Sequence, residues 1–188
     1  MNRLLLALLL TVVASSALAE TKEEEAVRYL GTMIVSVREE NDPMRNRMFI
    51  KLRVVGDPAV GPLLGALEDP DPAVRHYLAF TLGFFDDPRV TEPLLGLFRS
   101  DGDIDVRCAA AEALGRRETM EAVDPLLQAL GESDPRVRQS SAYALGLIGD
   151  SRARESLEKA KGDSDELVRF FAEEALVQID RALARRNR

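Results

Sequence analysis

Histidine, cysteine, arginine and the carboxylates are the side chains most able to do chemistry, and this chain deploys them unevenly. His76 is the only histidine and Cys108 the only cysteine. A single histidine excludes a multi-histidine metal site. A His76–Cys108 nucleophilic pair has residues of the right type, 32 positions apart, but no third group is evident to activate it. Cys108 is then either an inert packed thiol or a site for an intermolecular disulfide; it has no partner for an internal one. The arginines are more orderly. Arg75, Arg107, Arg138 and Arg169 follow one another at intervals of 32, 31 and 31 residues. Such a row can bind anions, or it can pair with carboxylates of the same chain. Gly83, Gly115 and Gly146 keep the same rhythm, each after a leucine, and do not form a phosphate-cradling loop.

The arginines belong to a longer phrase. "DPAVR" at 71–75 returns as "DIDVR" at 103–107, "DPRVR" at 134–138 and "DELVR" at 165–169. Seven residues after each arginine stands a leucine: Leu82, Leu114, Leu145 and Leu176. A third marker, "PLL", occurs at 62–64, 93–95 and 125–127, with a decayed copy "SLE" at 156–158. A fainter opening phrase, "NDPMR" at 41–45, leads to Leu52. Three markers with one period define an internal repeat.

Each repeat reads as two helices. Asp71-Pro72 and Asp134-Pro135 put a carboxylate at an N-cap and proline at the first helical position. The helix that follows should end at the Leu-Gly pair, glycine suiting a C-terminal turn. Asp57, Asp87, Thr119 and Asp150 can then open a second helix, which buries sets such as Val90, Leu94, Leu95 and Phe98. Pro93 and Pro125 lie inside these second helices, so their first turns should be irregular. One such pair buries about ten apolar side chains, too few to offset the entropy of ordering some 31 residues. Stacked neighbours must cover it.

The phrases "DPAVRHYLAFTLG", "DIDVRCAAAEALG" and "DPRVRQSSAYALG" resemble HEAT repeats, in the short variety associated with phycobilisome lyases. The resemblance spans about residues 41–180. It implies an all-α fold, a right-handed α-solenoid of about four to five helix pairs. It also implies an Asp–Arg ladder through the inter-helix turns, with Arg75, Arg107, Arg138 and Arg169 facing Asp57, Asp87 and Asp150; Thr119 interrupts the series. This structural role is preferred here to anion binding. Two departures stand out: Arg117 occupies a column held by Phe85, Ile148 and Ile179, and the last second helix, "SRARESLEKAKG", is polar and should pack least well.

The ends differ from the repeats. Residues 1–19 carry Arg3, an apolar run from Leu4 to Val13 and small residues ending at Ala19, the order of a secretory signal peptide cut after Ala19. The run is too short to span a bilayer. The expected location is therefore periplasmic or secreted. Residues 20–40 are expected to form an N-terminal capping helix with Val27, Leu30, Ile34 and Val37 inward. Residues 41–184 form the solenoid and 185–188 a basic tail. Without Arg3 the 25 basic residues become 24 against 32 acidic ones, a net charge of −8, which disfavours nucleic acid.

A chain built this way is expected to be a non-catalytic scaffold or adaptor, with no cofactor and no metal. Its second helices would line the concave side and hold a protein or peptide partner. The outward positions are Gly61, Glu92, Asp124 and Glu155, then Gly65, Gly96, Gln128 and Lys159. Phe80 and Tyr143 are either exposed anchors or half-buried packing. The alternatives are a bilin-lyase-like or accessory enzyme subunit sharing the repeat, and homotypic assembly through the ends of the stack.

Overall fold

Helix starts are set by short polar side chains followed by proline or a carboxylate. In the computed structural model, which describes residues 20–186, Asn41, Asp71, Asp103 and Asp134 each accept a hydrogen bond from a backbone N–H two or three residues on. These caps open α2 (Asp42–Val55), α4 (Pro72–Leu82), α6 (Ile104–Arg116) and α8 (Pro135–Ile148). Asp165 does the same for α10 (Glu166–Arg186). The expected leader, residues 1–19, lies outside the described residues.

After each of the first four, a three-residue 3-10 turn leads into a short second helix: α3 (Val60–Gly65), α5 (Thr91–Ser100), α7 (Val123–Ala129) and α9 (Arg154–Ala160). Pro93 and Pro125 withhold an N–H that a continuous α-helix would use, as expected for an irregular first turn, but the same 3-10 turn precedes α9, where Ser156 stands in the proline column. Asp87 and Asp150 cap two of the 3-10 turns. Thr119 makes no side-chain cap bond, and Gly56 at φ +79°, rather than Asp57, holds the cap position of the first turn.

The first-type helices α4, α6, α8 and α10 pack side by side, and α5, α7 and α9 each pack against the first-type helix that follows. α1 (Lys22–Arg38) lies on α2 in the same manner. The chain is thus an all-α solenoid of four helix pairs with half a pair at each end. Val74, Leu78, Leu82, Val90, Leu94 and their equivalents are buried, save Met44 in the first repeat, which is half-buried. The polar α9 buries only Leu157.

The glycines do not do what their place in the sequence suggested. Gly83 ends α4 in ordinary right-handed geometry, while Gly115 and Gly146 lie inside α6 and α8. A Cβ on Gly83 would meet Ala113 Cα at 2.9 Å. On Gly115 it would meet Ala144 Cα at 2.7 Å, and on Gly146 Ala175 Cα at 2.7 Å. Each glycine lets the next helix approach backbone to backbone, and an alanine waits at the contact.

Two end helices need correction. α1 buries Ala26, Tyr29, Leu30, Met33 and Val37, while Val27 is exposed and Ile34 half-buried. The larger Tyr29 and Met33 side chains fill the space, turning the buried stripe away from Val27. α10 continues to Arg186, past the expected end at residue 184. Ala182 packs over Gly149 at the neighbouring turn.

Candidate functional site

The arginine row is structural, but its carboxylate partners are not those expected. Arg75 donates from Nε and Nη2 to both oxygens of Asp101 at 2.8 Å. Arg138 does the same to Asp163 at 2.9 and 2.8 Å. Arg107 donates to Glu132 at 2.5 Å. The acceptors lie two residues before the N-caps Asp103, Asp134 and Asp165, in the turn entering the next first-type helix. Asp57, Asp87 and Asp150 sit at the other end of the helix. An 11-residue helix rises about 16 Å, which an arginine cannot reach back across. Asp87 and Asp150 pair instead with Arg89 and Arg152 on their own turns.

Two of these three arginines also grip their own turn: Arg75 Nη1 donates to the carbonyls of Asp69 and Pro70, and Arg138 Nη1 to those of Glu132 and Ser133, whereas Arg107 Nε donates to the carbonyl of Phe98 at the end of α5. The guanidinium therefore rivets two successive turns, which offsets its unfavourable place in the first helical turn. Arg75 beside Asp101, and Arg138 beside Asp163, hold those carboxyls below the usual carboxylate range.

The positions proposed for partner binding all reach the surface. Glu92, Gly96, Asp124, Gln128, Glu155 and Lys159 are exposed on α5, α7 and α9, as are Gly61 and Gly65 on α3. Buried neighbours on the same helices (Leu94, Leu95, Leu126, Leu157) fix which edge faces out. The strip is less acidic than its sequence suggested. Arg152 donates to Asp124 at 3.2 Å, and Lys159 to Glu155 at 2.7 Å. Glu92 makes no ion pair among the described residues. Arg152 was legible as a basic residue, but its reach across to the preceding repeat was not.

The opposite face, along the first-type helices, holds the features that sequence reasoning treated lightly. A cleft of about 550 Å³ is lined by His76, Cys108, Arg136, Tyr143 and Phe171 among others. His76 and Cys108 thus line one cleft, with His76 Nδ1 lying 3.0 Å from the carbonyl of Asp105. Burial pushes the Cys108 thiol up, against the low value a nucleophile needs. Tyr143 stacks edge-on against Phe171, and Phe80 packs among Phe49, Tyr77 and Phe84. Arg117 is half-buried in its apolar column and donates to the carbonyl of Asp87 at 2.9 Å. No helix among the described residues is long and apolar enough to cross a membrane.

Residues 91–177 match the family model for HEAT repeats. Among solved structures the chain is similar to the CpcE–CpcF complex of phycocyanin lyase from Nostoc sp. PCC7120. The TM-score is 0.70 at 23% identity, covering 80% of this chain and 99% of that one. Two designed armadillo repeat proteins match with TM-scores of 0.54 and 0.53 at 18% and 20% identity, each over 71% of this chain and 69% of the designed one. The first of these was solved with the peptide (KR)4. No curated protein matches the sequence. At such identities the structural likenesses establish the fold.

Proposed function

The chain is a HEAT-like repeat protein, and we propose that it serves as an exported, non-catalytic scaffold that holds a protein or peptide along its second helices. The observation that carries this reading is the exposed strip on α5, α7 and α9, where equivalent positions of successive repeats stand open at a regular pitch. A surface of this kind reads an extended partner residue by residue. Glu92, which makes no ion pair among the described residues, and Asp124 and Glu155, whose exposed pairs with Arg152 and Lys159 a basic partner can exchange, favour a basic segment, and the similar designed armadillo protein that holds a (KR)4 peptide supports that choice of probe.

Titration of the protein with (KR)4 by fluorescence anisotropy tests the surface. Binding should weaken at least several-fold in an E92K/D124K variant and with added salt. Undiminished binding by that variant would remove this face from consideration. Export rests on residues 1–19, and N-terminal sequencing of protein recovered from the periplasm or medium should begin at Glu20.

The alternative is a bilin-lyase-like or other accessory enzyme subunit. The cleft holding Cys108 and His76 is the observation that favours it. Mixing the protein with a bilin and an acceptor protein decides the matter: a covalent adduct would replace the scaffold reading, and none is expected.

A further inference from the structure

The two ends of the stack are complementary halves. Among the described residues, α1 is a helix in the second-type position with no first-type partner before it, and α10 is a first-type helix with no second helix after it. The arginine ladder is cut at the same two places. Arg169 makes the inward half of a rung, donating from Nη1 to the carbonyls of Asp163 and Ser164 at 2.8 and 3.1 Å. Arg75 and Arg138 add a bidentate carboxylate from the next repeat. Among the described residues no further repeat follows Arg169, and it forms no ion pair there. At the other end, acceptors stand two residues before an N-cap: Asp69 before Asp71, Asp101 before Asp103, Glu132 before Asp134, Asp163 before Asp165. The same step back from the N-cap Asn41 reaches Glu39, an exposed carboxylate that forms no ion pair among the described residues.

We propose that a second copy of this chain stacks head to tail on the first, its α1 completing the pair that α10 begins and its Glu39 accepting the rung from Arg169. Two further features fit this register. Apolar side chains stand open at both ends: Phe170 and Val177 on α10 are 52% and 41% exposed, and Val27 and Val35 on α1 are 54% and 50% exposed. A second-type helix starts beside the end of the first-type helix it follows. The acidic start of α1, with Glu20, Glu23 and Glu24, therefore meets the basic end of α10, with Arg181 and Arg185. The contact joins unlike surfaces, so assembly adds copies in series and does not stop at a symmetric pair.

Sedimentation velocity of the purified protein over a concentration series tests this. The expected result is a weight-average mass that climbs past the dimer as concentration rises. E39R alters an exposed residue, leaves the fold of each copy intact, and should weaken association about tenfold or more. R169E should do the same, and its own folding is checked by thermal melting because Arg169 also holds two turn carbonyls. Mixing the two variants restores opposite charges at every junction and should restore the large species. A mass that stays monomeric to the limit of solubility, one that stops at the dimer, or association unaffected by E39R would each overturn the proposal.

Discussion

The interface between α2 and α4 and the three that follow it solve one packing problem in two ways. From α4 onward, first-type helices meet through a glycine on one and an alanine on the next, with backbones in direct contact. At the first interface the glycine column is held by Arg53 and the alanine column by Thr81. Phe49 packs there at 5.6 Å from Phe80 and 5.1 Å from Phe84, and Arg53 and Arg116 lie over the Phe84 ring. The ladder changes at the same boundary. Arg45 stacks on Tyr77 and pairs with Asp42, and Arg38 from α1 supplies the rung to Asp69. Close contact through small residues gives little room for adjustment, whereas rings and long cations tolerate it. The same repeat can therefore be rigid in its later copies and adaptable in its first.

Substitutions in the glycine column should separate the two interfaces most sharply. G115V forces a branched side chain into the Ala144 backbone and should cost about 3 kcal/mol or more in urea unfolding. R53V, in the same column two interfaces earlier, should change stability by no more than about 1 kcal/mol. Equal effects would dissolve the distinction. F84A should cost about 2 kcal/mol by emptying the aromatic contact, with the loss of protection confined to α2 and its neighbours. R75Q should cost about 1–2 kcal/mol, since it strands Asp101 and frees two turn carbonyls.

Acid should act on the ladder. The Asp101 and Asp163 carboxyls are depressed in the folded chain, so their contribution is present above the unfolded carboxylate value and lost as pH falls through the folded one. Stability measured by thermal melting should therefore fall below about pH 4. R75Q should blunt that fall, because the Asp101 carboxyl then loses the partner that depresses it.

Much of this was legible in the sequence because a period repeated in three kinds of residue fixes both fold class and helix starts. The exposure of Glu92, Asp124 and Glu155 followed from the buried leucines beside them. Other features were hidden because they depend on which end of a helix faces which neighbour. The ladder arginines were recognisable, but the ladder implied by the family resemblance was laid onto the carboxylates at the wrong end of the helix. The Leu-Gly pairs invited a helix-ending role. Their partner alanines at 113, 144 and 175 carry the same period and were the available signal for close approach. The reach of Arg152 to Asp124 depends on side-chain geometry across two repeats, which no linear pattern records.

Native-state hydrogen exchange, resolved by peptide, tests the division between the interfaces most directly. The amides of α6 and α8 should show the highest protection and open together, with α2 opening at a lower free energy. Protection in α2 equal to or greater than that in α6 and α8 would contradict the account.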